Sequence, residues 1–436
     1  MPRNSKKICV IGIWHLGAVY SACLADLGYR VIGVDNDAAR VNELNKGIPP
    51  LFEPGLQELI TGNIEAKRLG YTTDLIQAVK GAGYVLITFD TPVNDQDEID
   101  LSEIFDTAVR LAGCLENNAV ILVSSQVPVG TCEQIKSLIQ KKNPALDIDI
   151  AYSPENLRLG QAINCFKKPE RIVVGADSDA TLKAAADLFS VVQAPVLTMN
   201  LRSAEMTKHA LNAFLATAIS FGNEIANLCD EVGADAIKVA TALRTEGRIG
   251  AKIPLLPGLG FAGGTLARDL KVLKKIGREK GYETLLIDSV FTVNQRQNGV
   301  VVRKLERLYG SVKGLTIGIL GLTYKPGTST LRRSAALEII KELVAKGAKV
   351  KAYDPKADLN EVKEHIEFEF CRDVFSVADK SDALVLITEW PEFKDLDYGA
   401  IKKTMKKPVI IDTKNLLDDK QMLSKGFTYF GIGRGK

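Results

Sequence analysis

Short apolar runs alternate with amphipathic stretches at both ends of the chain, and the alternation disappears between them. In the first part, KKICVIGI, an amphipathic run to Leu27, YRVIGVD, YVLITF, NAVILVSS and DIDIAYS follow one another. Apolar strands spaced by helical segments predict a parallel sheet covered on both faces. The first strand, turn, helix and second strand make a βαβ unit. From about residue 201 to 300 the strand signal is gone. There Met206, Ala210, Phe214, Phe221, Ile225 and Leu228 fall near helical spacing and predict one long helix ending near Glu231. A second helix is expected after GLGFAGG and a third from Leu285 to Tyr309. The α/β pattern then restarts with GLTIGILGLTY, a helix from Arg333 to Lys346, AKVKAYDP, DALVLIT and KPVIIDT. The expected fold is α/β, two Rossmann-like doubly wound domains joined by a helical connector, divided at 1–200, 201–300 and 301–436.

A chain of 436 residues exceeds what one core usually holds, in keeping with that division. With 46% hydrophobic and 25% charged residues, its composition is that of a globular protein. Fifty-six Lys and Arg against 53 Asp and Glu leave +3, without the concentrated basic face a nucleic-acid partner needs. No apolar run approaches the roughly 18–20 residues of a membrane span, and MPRNSKK leads straight into a strand, so a cytoplasmic protein without a membrane partner is expected. The seven cysteines (Cys9, Cys23, Cys114, Cys132, Cys165, Cys229 and Cys371) form no CxxC pair, and there are only three histidines. That scatter argues against a zinc site and a disulfide framework.

Candidate chemistry begins at Gly12-Ile13-Trp14-His15-Leu16-Gly17, where a dinucleotide-binding GxGxxG would lie, with Asp35 closing the second strand. An acidic residue there accepts hydrogen bonds from an adenosine ribose and favours NAD over NADP, while Arg40 leaves a 2′-phosphate partly open. Trp14 takes the middle glycine, whose bare Cα normally lets the pyrophosphate approach. Two readings stand: an altered cofactor loop, or a degenerate turn in which Gly12 and Gly17 serve only packing. Lys208 and Asn212 are four apart and share a helix face. An ammonium and an amide suit a developing alkoxide, though each residue alone is more often a solvated surface group. Glu155 either orients a water or sugar hydroxyl or caps a turn.

The segment Gly258–Asp269, GLGFAGGTLARD, resembles the GxGFGGSCFPKD stretch of the UDP-glucose/GDP-mannose dehydrogenase family. NKGIPPLFEPGL, LGYTTD, Thr91-Pro92, VPVGT, SPENLRLG, PERIVVG, SAEMTKHALNAFLA, GLTYKPGTSTLRRS, YDP, ALVLITEWPEF, IDTKN and FGIGR extend the resemblance in order over nearly the whole chain. It implies NAD as cofactor, held by Gly12, Gly17, Asp35, Arg40, the Thr91-Pro92 turn, Gln126 in place of a threonine, and Arg332 near the pyrophosphate. It implies a nucleotide-sugar substrate gripped by Arg248 reaching into a neighbouring subunit, by Phe261 and Gly263, and by Lys325 and Lys414. Lys414 stands where the family has arginine, so a planar bidentate contact becomes a point charge. Lys208, Asn212, Asp269 and Glu155 match family catalytic positions, and Leu159 replaces a second glutamate.

Thr265 occupies the position of the family cysteine, whose thiolate attacks the aldehyde from the first oxidation so that a second hydride can leave. A hydroxyl needs a strong adjacent base for that task, and Asp269 is a weak one. The alternative is that Thr265 caps the following helix, which its placement after Gly263-Gly264 favours. The glycines Gly258, Gly260, Gly263 and Gly264 let the backbone approach a ligand closely, or simply make a flexible loop. The implied function is NAD-dependent oxidation of a nucleotide-sugar hydroxyl, a UDP-hexose first, stopping at the carbonyl. Full four-electron oxidation without cysteine and an inactive nucleotide-sugar binder remain as alternatives. A homodimer formed through the connector, acting in polysaccharide precursor supply, is the implied setting.

Overall fold

The computed structural model describes residues 6–92, 99–261, 266–331, 334–362 and 366–435. Thr265, Gly263 and Arg332 therefore lie outside the described residues. The chain forms two compact units, one up to Ala210 and one from Leu211 onward.

The first unit is built on eight strands: β1 (Lys7–Ile11), β2 (Arg30–Val34), β3 (Leu69–Thr72), β4 (Ala82–Ile87), β5 (Val120–Val123), β6 (Asp149–Tyr152), β7 (Ile172–Ala176) and β8 (Val196–Met199). Their order is β3-β2-β1-β4-β5-β6-β7-β8. Successive residues of β1 point to opposite faces, Ile8 and Val10 into one apolar cluster and Cys9 and Ile11 into the other. Both faces are thus covered, as the near-continuous apolar runs require. The expected all-parallel sheet needs one correction, because β7 pairs with β6 antiparallel, Ala151 opposite Ala176. The connection after β6 carries only a six-residue helix, Ala162–Lys167. That helix packs Phe166 edge-to-face on Tyr20 with the ring centroids 4.8 Å apart, and the chain returns in the opposite sense.

The second unit holds β9 (Thr316–Leu320), β10 (Lys349–Tyr353), β11 (Glu369–Phe370), β12 (Ala383–Leu386), β13 (Val409–Asp412) and β14 (Thr428–Gly431). They lie in the order β11-β10-β9-β12-β13-β14, all parallel. The reversal of strand order at β9 and β12 mirrors that at β1 and β4. Both units are therefore Rossmann-like.

A helix from Leu201 to Val232 joins them, 32 residues long. The helix expected over Leu285–Tyr309 is instead two, Leu285–Asn298 and Val300–Tyr309. Gly299 interrupts it, and the Arg303 guanidinium takes up the carbonyl of Arg296 at 2.8 Å. Asp235 caps an unforeseen helix, Ala236–Thr245. The helix expected from Arg333 runs from Ala335 to Ala345, with Ser334 as its N-cap. No helix among the described residues is long and apolar enough to cross a membrane.

Candidate functional site

In the first unit, β1 turns at Gly12 into a helix spanning His15–Asp26. Gly12 has φ +85°, and a Cβ there would lie 2.5 Å from the Phe89 ring. A Cβ on Gly17 would lie 2.0 Å from the Gly12 carbonyl oxygen. The outer two glycines of the motif are thus demanded, Gly12 by its positive φ and the Phe89 ring and Gly17 by the Gly12 carbonyl. No side chain caps the helix and no acidic residue sits in its first turn. Its N–H groups and dipole suit an anion. Asp35 is buried at the end of β2, where its Oδ2 accepts from the Ile13 amide at 3.1 Å and from Arg40 at 2.7 Å. This cradle and carboxylate fit the pyrophosphate and ribose of a dinucleotide. Trp14 is the departure: it is the helix N-cap residue and stays 40% exposed instead of folding into the core.

Beside the cradle, the Thr91 hydroxyl donates to the Gln126 carbonyl at 2.9 Å, with both residues buried. Pro92 is exposed, and its carbonyl accepts from Asp100. Sequence reasoning overlooked Glu53, a buried carboxylate that accepts from the Gly160 and Ala162 amides at 2.9 and 2.7 Å and sits 3.2 Å from the His15 ring. Its only signal was its place in the EPGL stretch. Glu205 was missed too. This fully buried residue takes the amides of Gly130 and Cys132 at the start of the helix Thr131–Lys142, and burial pushes its pKa up.

Lys208 is 6% exposed, and its Nζ donates to the Glu155 carbonyl at 2.7 Å and to Glu155 Oε1 at 3.0 Å. Glu155 Oε2 meanwhile accepts from the Leu157 amide at 2.8 Å. Glu155 is therefore a turn cap and an ion-pair partner at once. Leu159, four residues on, is exposed and supplies no second carboxylate.

In the second unit, Asn212 donates to Asp269 Oδ2, and both residues are buried. Asp269 lies in the first turn of the helix Leu266–Glu279. Three amides hold the loop that precedes it. Asn223 accepts from the Gly258 amide at 2.9 Å and donates to the Leu259 carbonyl at 3.2 Å. Asn294 accepts from the Phe261 amide at 2.7 Å and donates to its carbonyl at 3.0 Å, and Gln297 donates to the Gly258 carbonyl at 2.7 Å. A Cβ on Gly260 would lie 2.7 Å from Asn294 Oδ1. From residue 258 to 261 the segment is clamped, which settles the choice against a flexible loop there. Asn294 and Gln297, three apart on one helix face, were the signal available in the sequence.

Beside the clamp is a cleft of about 340 Å³ whose walls include Phe261, Tyr324, Lys325, Thr388, Glu389 and Lys414. Phe261 is buried and Lys325 half-buried. Lys414 forms an ion pair with Glu389 at 2.9 Å, a partner the sequence did not suggest. Asp354 fixes the chain leaving β9. It accepts from the Leu322 and Thr323 amides at 2.7 and 2.9 Å and from the Trp390 indole at 3.1 Å. Burial opposes ionisation of Asp354, but these hydrogen bonds outweigh it and hold its pKa below the usual carboxylate range. Arg248 is not among the residues lining this cleft; its side chain is 88% exposed and pairs with Glu246 at 3.0 Å.

Residues 6–193 match the NAD binding domain of the UDP-glucose/GDP-mannose dehydrogenase family, 202–296 its central domain and 318–419 its UDP binding domain. A UDP-glucose 6-dehydrogenase of Bacillus subtilis is 39% identical, covering 98% of this chain and 93% of the relative. One of Rhizobium meliloti is 38% identical over 98% and 99%. The structure of a UDP-glucose dehydrogenase from Pyrobaculum islandicum superposes with a TM-score of 0.87 at 29% identity, covering 99% of both chains. Carrying all three domains in order, the chain belongs to the UDP-glucose/GDP-mannose dehydrogenase family, the NAD-dependent nucleotide-sugar dehydrogenases.

Proposed function

We propose that this chain oxidises a hydroxyl of a UDP-hexose, UDP-glucose first, and releases the product at the carbonyl level after two electrons. The buried Asn212–Asp269 pair, in a sequence register where Thr265 replaces the nucleophilic cysteine, is the observation that carries the reading. Bound NAD supplies the hydride acceptor. Asp269 receives the alcohol proton, directly or through a water, while the carbon gives up its hydride. Lys208 and Asn212, one turn apart on a single helix, stabilise the developing alkoxide. Glu155 holds the Lys208 ammonium in place. With no thiolate at position 265, and a hydroxyl in its place that is a far weaker nucleophile at neutral pH, no covalent intermediate forms to give up a second hydride.

The UDP-hexose is bound by Phe261, Lys325 and Lys414 around the cleft, with Gly263 close to the sugar and Arg248 reaching into a second subunit. Gly12, Gly17 and Asp35 hold the cofactor, with Arg40, Thr91, Pro92, Gln126 and Arg332 around it. Domain limits of 1–200, 201–300 and 301–436, a cytoplasmic setting and a role in polysaccharide precursor supply complete the proposal. Residues 201–300 form the homodimer contact. Phe214, Phe221 and Leu228 recur every seven residues on the long helix and are 59%, 49% and 56% exposed. Such a stripe is what a second helix covers.

The relatives bearing the name UDP-glucose 6-dehydrogenase favour a second reading, four-electron oxidation by a cysteine-independent route. Counting NADH per UDP-glucose consumed, with the product mass, separates the two. One NADH and an aldehyde are expected. Two NADH and a uronic acid, at a rate unchanged by Thr265→Ala, would defeat the early stop. If UDP-glucose binds calorimetrically and NAD does not, the chain is a binder rather than an enzyme.

A further inference from the structure

We infer that the FGIGR segment is a strap that sets the position of Lys414 at the wall of the nucleotide cleft, with Asn415 as the positioning residue. Lys414 and Asn415 leave β13 in a turn gripped from two sides. From the strand end, Asp412 accepts from the Lys414 amide at 3.0 Å and from the Leu417 amide at 2.8 Å. From the strap, the Ile432 carbonyl accepts from Asn415 Nδ2 at 3.2 Å. Asn415 is held at φ +51°, a left-handed conformation that side chains other than asparagine and aspartate rarely adopt. The residue that carries the turn is thus the one tied to the strap, and Lys414 is its immediate neighbour. A Cβ on Gly431 would run into Asn415 Oδ1, so the strap lies flush against that side chain.

The strap can position the turn because it is itself fastened beyond it. Asp230, near the end of the long helix, accepts from the Gly433 and Gly435 amides at 3.2 and 3.1 Å and from the Lys304 ammonium at 2.7 Å. The Gly433 carbonyl in turn accepts from the Ala236 amide at 2.7 Å. Gly433 has φ +69°, and a Cβ there would lie 2.6 Å from Ala236 Cβ and 2.7 Å from Ala226 Cβ. The Arg434 guanidinium donates to Asp419 at 2.6 Å and lies 3.8 Å from Asp235, the cap of the helix Ala236–Thr245. Asp419 opens the helix that follows the Lys414 turn. Both ends of that turn are thereby referenced to the long helix and its neighbour. A lysine loses much rotamer freedom when it grips a phosphate, and a fixed backbone turn confines that search before the ligand arrives. The inference rests on Lys414 as a ligand of UDP, and is independent of the cofactor and of the extent of oxidation.

Support of the fold alone is the competing role for the strap, and a double-mutant cycle decides between them. The full chain is titrated calorimetrically with UDP as wild type, Asn415→Gly, Lys414→Ala and the double variant, and with NAD as a control. Glycine keeps the left-handed turn without strain and removes only the tether. Asn415→Gly should bind UDP about three- to tenfold more weakly, the cost of immobilising one rotamer-rich side chain, with NAD affinity and melting temperature near wild type. KM for UDP-glucose should rise while kcat holds. On the Lys414→Ala background the same change should have no further effect, because the strap acts through that lysine. Arg434→Met loosens the strap from its other side and should weaken UDP binding in the same way, which keeps the test open if Asn415→Gly folds poorly. Wild-type UDP affinity in both Asn415→Gly and Arg434→Met overturns the strap, as does a loss that persists in full without Lys414. Lys414→Ala with wild-type UDP affinity overturns the reading of Lys414 itself and the strap with it, and is told apart because the tether is intact in that variant.

Discussion

Asn294→Ala is the most exacting test of the clamped loop. Asn294 is 8% exposed, and its single amide satisfies both backbone groups of Phe261. Alanine leaves a buried donor and a buried acceptor unpaired, and each such group costs about 1–3 kcal/mol. Some relaxation and entry of water reduce the total, so a loss of about 2–4 kcal/mol is expected. For a unit of this size, about 2–4 °C per kcal/mol places the fall in the melting temperature of the second unit near 5–15 °C. Calorimetric melting should therefore show the transition of the second unit displaced and that of the first unmoved. Because Phe261 also walls the cleft, UDP titration should show affinity weakened along with stability. Gln297→Ala removes only the bond to the Gly258 carbonyl and should cost about half as much. If Asn294→Ala melts and binds UDP as the wild type does, the loop is not held by this amide, and the account of a preformed substrate wall fails.

Lys208→Met strips the partner from Glu155 and the cation from the proposed alkoxide; kcat should fall by about 10²–10³ while KM for UDP-glucose changes little, as initial rates against both substrates would show. Asp354 gives a signed pH effect. Its folded-state pKa is depressed, so its contribution to stability is complete above the unfolded value of about 3.9 and disappears as pH falls through the lowered folded value. Asp354→Asn should therefore flatten the acid side of a stability–pH curve below about pH 4 and lower stability at neutral pH. Phe221→Asp places a charge in the exposed heptad stripe and should give a monomer by light scattering without a lower melting temperature; a dimer that persists would remove this stripe from the interface.

What was readable in advance followed one rule: features carried by local periodicity could be read, and features carried by tertiary pairing could not. The β1 run and the spacing from Met206 to Leu228 announced a buried strand and a long helix, because each pattern is set by the element's own neighbours. The antiparallel β7 could not be read this way, since a buried strand has the same composition whichever way it runs. Gly299 alone divides the Leu285–Tyr309 stretch, and a lone glycine in an apolar helical pattern is a weak stop signal. Of the site, Asp35, Lys208 and Asn212 were placed by their register on strand or helix. Their partners Arg40, Glu155 and Asp269 were also singled out, whereas Glu389, Glu53 and Asn294 were not. Glu389 is remote in sequence from Lys414, and Glu53 and Asn294 act on backbone groups that no side-chain motif marks.

Those partners change what binding means for this chain. Lys414 is held by Glu389, Lys208 by Glu155, Asn212 by Asp269 and Asp35 by Arg40. A phosphate approaching Lys414 does not gain a whole ion pair; it gains the difference between its own attraction and that of Glu389, in a wall that is partly desolvated. The pairs nevertheless fix side chains that would otherwise lose several rotamers on binding. Buried pairs such as Asn212–Asp269 trade little affinity for position, because their partner is itself proposed to act. A more exposed pair such as Lys414–Glu389 opposes the ligand more directly. Glu389→Gln, which keeps the shape and removes the competing charge, should therefore tighten UDP binding, whereas Asp269→Asn should leave UDP affinity near wild type and abolish turnover. If Glu389→Gln weakens UDP instead, Glu389 serves to hold Lys414 in its binding position, and pre-organisation outweighs competition at that wall.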